Sequence, residues 1–227
     1  EEQGWQTLDH PPTLGGRFSV FSVVGLLPLA FSGVDVSALA MQMRAEWNAM
    51  LTRKDPALFE AACVFAASIA SHPLHVVMGY ADRLRPYTQW YKQLWAESLG
   101  KGGRGPTPVT ATGSIDQHSQ LQLYLDGARD KLFTLMLPAE PQSHLPLASI
   151  DIPGVAYLGG HGMEQIMQAS AEATFETIRA RGLPVRVLRS HFTIASVCQL
   201  MVRTMLETLL VAAMLEVDPY SQPAVEE

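Results

Sequence analysis

The sequence predicts an α/β protein, a three-layer α/β/α sandwich built on a mostly parallel sheet. Short apolar segments alternate along the chain with longer segments of helical periodicity, and turns rich in glycine and proline separate them. The 227 residues are 48% hydrophobic and 17% charged, a composition that can bury one large core. We therefore expect a single globular domain over residues 1–227.

Helices are expected where a capping residue precedes an apolar stripe of helical period. Asp35 is a suitable N-cap for the first helix, and Asp55-Pro56 starts the second because proline is favoured at the first helical position. The second helix is apolar nearly all round, which predicts that it is buried. The expected helices run over about 35–52, 55–71, 87–99, 114–124, 162–181 and 193–217.

Strands are expected in the short apolar runs that glycine and proline bound. The run 74–78 is apolar almost throughout, which is typical of a buried parallel strand, and His75 within it is expected to be a core histidine with satisfied hydrogen bonds. The other expected strands are part of 1–12, then 106–112, 131–137, a segment around 150–152, and 185–188.

Two titratable side chains stand at element ends on either side of a glycine loop. Glu97 lies where the helix 87–99 runs out into the loop 100–105, and glycines there let a backbone approach a ligand closely. His118 follows a predicted capping box of Ser114 and Gln117, in a first helical turn that favours the neutral imidazole. The pair is a candidate general acid/base set, although a solvated glutamate and a half-buried histidine would give the same pattern.

Composition excludes several classes of protein. A net charge of -6, with no basic stripe carrying interleaved aromatic residues, argues against nucleic acid as a partner. Cys63 and Cys198 stand in predicted helices without a second cysteine or a histidine cluster nearby, so we expect reduced thiols and no metal. The apolar run 18–31 is too short to span a bilayer, so we expect a soluble, cytoplasmic protein without membrane contact. The chain begins at Glu1 without a methionine or a signal peptide, which suggests a fragment.

Three separated segments resemble one known family. Residues 14–25, LGGRFSVFSVVG, are similar to its first signature. The runs 97–101, ESLGK, and 116–119, DQHS, match paired motifs of its shorter bacterial members. Residues 217–226, VDPYSQPAVE, are similar to its second signature, with Ser221 at a position where Asp, Asn, Thr or His is usual. In order and spacing these segments resemble glucose-6-phosphate isomerase, and they reach nearly from end to end of the chain.

The resemblance implies a sugar-isomerase (SIS) fold, with this chain as the second of two such domains in a homodimeric enzyme. It implies interconversion of glucose 6-phosphate and fructose 6-phosphate through a cis-enediol, without a cofactor or a metal. In that scheme Glu97 carries the proton between C2 and C1, and His118 assists ring opening, with His144 as a rival. Arg17 stabilises the enediolate, and Gln222 holds the sugar hydroxyls.

The resemblance also implies that these residues alone are inactive. The family's phosphate-binding loop has no counterpart here, and the lysine that closes its second signature would fall two positions beyond Glu227. The exact sugar phosphate is therefore left open. Two other functions compete with the enzyme: a noncatalytic sugar-phosphate-binding sensor and a half-domain that only completes a dimer. The presence of both Glu97 and His118 favours the enzyme, because binding alone needs no acid/base pair.

Overall fold

The computed structural model describes residue 4 and residues 6–54, 56–140, 145–191 and 193–226. The chain divides into two compact units, each of which has its own packing. The first, here called the helical unit, comprises Glu1–Ala66, Gln93–Arg104 and Cys198–Glu227. The second, the sheet unit, comprises Ala67–Lys92 and Gly105–Val197.

The sheet unit contains a four-stranded parallel sheet in the order β2-β1-β3-β4. Its strands are β1 (Leu74–Gly79), β2 (Thr107–Thr112), β3 (Lys131–Pro138) and β4 (Val185–Ser190). From β1 the chain passes to β2 on one side of β1, then crosses to β3 on the other side and continues outward to β4. The strand order therefore reverses between β1 and β3. That reversal matters because ligands of open α/β sheets bind at such points, outside the carboxyl ends of the strands.

The described residues contain eight α-helices. They are α1 (Val23–Phe31), α2 (Val36–Ala49), α3 (Pro56–Ser68), α4 (Arg85–Leu99), α5 (Ile115–Asp126), α6 (Met163–Ala180), α7 (Ile194–Met214) and α8 (Pro223–Glu226). In the sheet unit, Tyr124 of α5 and Ile178 of α6 pack with Val76 and Phe133 on one face of the sheet. The first half of α4 covers the other face, where Tyr91 contacts His75. The predicted α/β fold with helices on both faces of a parallel sheet is confirmed.

The helical unit has a separate apolar core built by α2, α3 and α7. Its buried members are Leu39, Met43, Leu58, Cys198, Val202 and Leu206. Helix α7 is long and apolar enough to cross a membrane by length and composition, but 56% of its apolar window is buried within the protein. A core helix of a soluble protein passes the same test, and α7 contributes three residues to this core.

Several sequence predictions were wrong in detail. Residues 6–12 form no strand, and residues 1–3 and 5 lie outside the described part of the chain. No strand forms around Ile152, whose carbonyl instead accepts the Val155 N–H in a turn, because Pro153-Gly154 follows directly. Helix α3 is not buried all round: Phe59 and Val64 are 56% and 58% exposed in this chain.

Of the two predicted helix caps, one is confirmed and the other lies outside the described residues. Asp35 caps α2 as predicted, since its Oδ1 accepts the Ala38 N–H at 2.9 Å. The predicted cap Asp55 lies outside the described residues. Helix α3 begins at Pro56, where a proline is favoured because the first helical N–H has no intrahelical partner.

His75 is the core histidine that the sequence predicts. Its side chain is 1% exposed, Nε2 lies 2.8 Å from Thr134 Oγ1, and Nδ1 lies 3.1 Å from the Tyr91 hydroxyl. Burial, reinforced by the nearby Arg186 charge, lowers the pKa of His75 well below its ordinary value. The folded chain therefore keeps this imidazole neutral where an exposed histidine would be protonated.

We expect this neutral histidine to make the free energy of unfolding depend on pH. Below pH ~6.5 the unfolded His75 takes up a proton that the folded chain excludes. The free energy of unfolding should therefore fall by about 1.4 kcal/mol for each unit by which the pH is lowered. Above that pH the two states bind the same number of protons at this site. Urea unfolding between pH 8 and pH 5 measures the slope, and His75→Leu should flatten it.

The exposed His10 provides a matched control, because His10→Gln removes a histidine from the surface and leaves the core intact. His75→Leu should also lower stability at pH 8, since the hydroxyls of Tyr91 and Thr134 lose this partner. An equal slope in the His75→Leu and wild-type chains would contradict the prediction.

Candidate active site

Glu97 lies in the last turn of α4, with both carboxylate oxygens engaged and the side chain 33% exposed. Its Oε2 is 3.2 Å from Arg17 Nη1, and its Oε1 accepts a hydrogen bond from Gln93 Nε2 at 2.8 Å. Gln93 can reach it because residues four apart lie on one face of a helix. The carboxylate is thus oriented from two sides while one part of it still meets solvent.

Arg17 connects distant parts of the helical unit through its guanidinium. It lies in a short 3₁₀ helix, Gly16–Phe21, and its side chain is fully buried. Its Nε donates to Ser98 Oγ at 3.0 Å, and its Nη2 donates to the carbonyls of Pro219 at 2.6 Å and Ser221 at 3.3 Å. The planar fork therefore holds the end of α4 against the segment that leads to Gln222.

Aromatic packing supports the same junction. The rings of Phe18 and Tyr220 lie 5.2 Å apart, beside the Arg17 contacts. The Tyr220 N–H is held by Asp218 Oδ1 at 2.9 Å, and this hydrogen bond, outweighing the small effect of burial, lowers the pKa of Asp218. The junction is therefore fixed by packing as well as by charge.

A cavity of about 380 Å³ opens at the end of α4. We call it the helix-end cavity; it is lined by Ala96, Glu97, Gly100, Lys101, Gly102, Gln222, Pro223, Ala224 and Val225. It brings together the predicted base Glu97 and the predicted sugar-binding Gln222, which are far apart in sequence. Gly102 has a φ of +57°, a conformation that favours glycine, so the fold of the loop itself calls for a glycine here.

Lys101 closes the last turn of α4 at this cavity. Its Nζ donates to the carbonyl oxygens of Glu97 at 2.8 Å and Ser98 at 3.0 Å. A cation here also complements the negative end of the helix dipole. Lys101 therefore stabilises the backbone that carries Glu97.

His118 lies in the sheet unit, in the first turn of α5, and its side chain is exposed. The backbone N–H of His118 donates to the Ser114 carbonyl at 3.2 Å, as is expected near the start of a helix. His118 does not line the helix-end cavity in the described chain. Its predicted rival, His144, lies outside the described residues.

The predicted capping box at the start of α5 is wrong. The Ser114 side chain makes no capping hydrogen bond, and Gln117 Oε1 instead accepts from the hydroxyls of Tyr80 at 3.0 Å and Ser170 at 2.9 Å. Asp116 instead ties the start of α5 to the preceding strand, since its Oδ2 accepts the Thr112 N–H at 2.6 Å. Burial opposes the charged form of Asp116, but this bond and two from side chains outweigh it, so its pKa is lowered.

A second cavity, of about 410 Å³, lies at the carboxyl ends of β1, β2 and β3. We call it the sheet-edge cavity, and it includes the point where the strand order reverses. It is lined by Tyr80, Ala81, Asp82, Arg83, Thr112, Gly113, Ser114, Ile115, Pro138, Met163, Glu164, Met167 and Gln168. Its wall carries both polar and apolar side chains and includes the charged residues Asp82, Arg83 and Glu164.

Neither cysteine nor any acidic cluster of the described residues forms a metal centre. Among these residues, no group of three or more His, Cys, Asp or Glu side chains converges. Cys63 and Cys198 are both free thiols, as the sequence predicts, and burial raises the pKa of Cys198.

Gln93 was not predicted as a site residue, and Ser98 and Lys101 were predicted only as members of the ESLGK motif, without a role. Gln93 could have been found from its spacing, four residues before Glu97 on one helix. Lys101 could have been found as a cation just past a helix end. The bond between Ser98 and Arg17 joins residues 81 positions apart, and no local signal predicts it.

The fold and the site together define an α/β protein with a parallel sheet, in which the Glu97 carboxylate lines the helix-end cavity. Comparison with known proteins finds relatives that cover nearly the whole chain. The chain is 38% identical to a probable glucose-6-phosphate isomerase of Natronomonas pharaonis, over 95% of this chain and 51% of the relative. It is also 38% identical to the glucose-6-phosphate isomerase of Rubrobacter xylanophilus, over 97% of this chain and 52% of that protein. The chain is thus homologous to the glucose-6-phosphate isomerases, and the resemblance seen in its motifs is confirmed.

Two solved structures share the fold of this chain. A hypothetical protein of Thermus thermophilus superimposes with a TM-score of 0.89 at 35% identity, over 99% of this chain and 56% of that one. A glucose-6-phosphate isomerase of Chlamydia trachomatis shares the fold, with a TM-score of 0.76 at 17% identity, over 96% of this chain and 46% of that one. No family model matches the sequence. The chain spans about half the length of the curated relatives that it matches.

Proposed function

We propose that the protein containing this chain is an aldose–ketose isomerase of glycolysis and gluconeogenesis that interconverts glucose 6-phosphate and fructose 6-phosphate. The observation that carries the proposal is the Glu97 carboxylate, oriented by Arg17 and Gln93 in a cavity that also contains Gln222. The names of the relatives support the same reaction. In this proposal residues 1–227 form one sugar-isomerase domain, the second of two, in a cytoplasmic enzyme.

Glu97 acts as the base that moves one proton between neighbouring carbons. In the open-chain aldose it removes the C2 proton, and the C1 carbonyl oxygen takes on the negative charge of a cis-enediolate. The protonated carboxyl then returns the proton to C1, while the C2 hydroxyl passes its own proton to the C1 oxygen and becomes the ketone, so no atom or electron is gained or lost. A carboxylate held in place needs little reorganisation for either transfer.

Arg17 and Gln222 support this transfer in different ways. Arg17 carries its positive charge within 3.2 Å of the reacting carboxylate, next to the place where enediolate charge develops. Gln222, in the same cavity wall as Glu97, offers an amide that can both donate to and accept from sugar hydroxyls. No step requires a metal or a cofactor.

His118 assists ring opening in an active site that a second subunit completes. The family resemblance supports this role, as does an exposed imidazole at the start of α5. The enzyme is then a homodimer, which light scattering of the full-length protein measures. A monomer that turns over at full rate would contradict this part of the proposal.

A noncatalytic sugar-phosphate-binding protein is the second candidate. The observation that favours it is the sheet-edge cavity, which lies where α/β sheets commonly bind ligands. Such a sensor would bind the sugar phosphate without exchanging any of its carbon-bound hydrogens.

Solvent hydrogen exchange distinguishes the two candidates. Full-length protein incubated with glucose 6-phosphate in tritiated water should incorporate tritium at C2 and form fructose 6-phosphate. The expected turnover lies in the ordinary enzymatic range of about 1–10³ per second. Tight binding without tritium incorporation would replace the isomerase with the sensor.

A further inference from the structure

Ser98 follows the proposed base directly and has no exposed surface. Its hydroxyl oxygen accepts the Nε–H of Arg17 at 3.0 Å, and its carbonyl accepts Lys101 Nζ. It has no contact with the helix-end cavity in the described structure, so it cannot act on substrate directly. We propose that Ser98 is a positioning residue for the isomerase reaction, acting on Glu97 through Arg17; this inference rests on the proposed function.

The position of the Ser98 hydroxyl determines the plane of the Arg17 guanidinium. A guanidinium is rigid and planar, so its Nε–H and the two Nη groups turn together. The Pro219 and Ser221 carbonyls hold one edge at Nη2, and Ser98 holds the stem at Nε. With both fixed, Nη1 is directed at Glu97 Oε2.

The Arg17–Glu97 contact is sensitive to a small rotation of that plane. At 3.2 Å it lies at the long end of the range for an N–H···O hydrogen bond. Loss of the Ser98 acceptor would let Arg17 turn about its Nη2 bonds and release Oε2, leaving Glu97 oriented by Gln93 from one side. A base that samples several orientations spends less time in the reactive one, and displacements of about 1 Å can slow a reaction about 100-fold.

Kinetics of the full-length enzyme test the inference. Ser98→Ala should lower kcat about 10- to 100-fold with little change in KM, because the sugar is bound by other groups. Thr208→Ala is the matched control: Thr208 is also fully buried in the helical unit, and its hydroxyl donates only to the Thr204 carbonyl in α7, at 2.8 Å. That variant should lose a comparable amount of stability and keep its kcat.

A double-mutant cycle isolates the path through Arg17. In an Arg17→Lys background the Nε–H is gone, so adding Ser98→Ala should change kcat less than twofold. Additive losses in the cycle, an unchanged kcat in Ser98→Ala, or an equal loss in Thr208→Ala would each overturn the role of Ser98.

Arginine NMR gives a readout that does not depend on turnover. With ¹⁵N-labelled arginine, the Arg17 Nε–H signal should be protected from solvent exchange in the wild-type protein and in Thr208→Ala, and lose protection in Ser98→Ala. Protection that persists in Ser98→Ala overturns the inference. If the wild-type protein shows no turnover, the proposed function fails by itself, and this signal still decides whether Ser98 holds Arg17.

Discussion

Replacing Glu97 with glutamine is expected to lower kcat about 100-fold or more while leaving sugar-phosphate affinity nearly unchanged. An amide has almost the same shape as a carboxylate and keeps an oxygen that can accept from Arg17 Nη1. The neutral amide is too weak a base to accept the proton from C2. The substitution should therefore slow proton transfer without weakening the binding of the sugar phosphate.

Tritium exchange at C2 in the full-length protein measures the effect, and calorimetric titration with a non-reacting sugar phosphate measures affinity. Glu46→Gln is a matched control, because Glu46 also lies in the helical unit and accepts from a glutamine, Gln199 Nε2, at 2.7 Å. It removes the same charge outside the helix-end cavity and should leave exchange intact. Exchange by Glu97→Gln within a few fold of the wild-type rate would remove Glu97 as the base.

The parts of the fold that were predictable are those with a local cause. Strands β1 and β3 follow from apolar runs, because a buried parallel strand needs apolar side chains on both faces. Strands β2 and β4 are partly buried edge strands and follow from the turns that bound them. The same rule misassigned Ile150 and Ile152, where a proline and a glycine turn the chain before a ladder can form. Helix α3 shows the limit of a composition argument, since apolar Phe59 and Val64 remain exposed.

The candidate site was predictable only in its members and not in their contacts. Motif resemblance named Arg17, Glu97 and Gln222, but the bonds of Arg17 span 80 residues to Glu97 and 202 to Pro219. Pairings of that range depend on how helices pack, which no local pattern encodes. The capping box failed for a related reason: Tyr80 and Ser170 compete for the Gln117 oxygen that a local rule assigns to the helix backbone.

The 227 residues by themselves are expected to show no measurable isomerisation of glucose 6-phosphate. The chain spans about half the length of relatives named as isomerases, and the resemblance implies that a phosphate-binding loop and a closing lysine belong to the remainder. Binding a remote phosphate orients the sugar and can lower the barrier by several kcal/mol. A missing positioned cation or proton-transfer group lowers the rate about 10²- to 10⁴-fold more.

These losses multiply because they act on different parts of the substrate. The helix-end cavity contains Glu97, Lys101 and Gln222. In the proposed scheme the isolated chain therefore keeps the base and the amide that binds sugar hydroxyls, but not the groups that bind the phosphate. A coupled assay of the purified chain, scanned to millimolar substrate beside the full-length protein, measures the rate. Circular dichroism and urea unfolding check that the chain is folded, so that inactivity is not mistaken for unfolding. Turnover within about 100-fold of the full-length enzyme would show that the helix-end cavity is a sufficient active site and that positioning by the remainder contributes little.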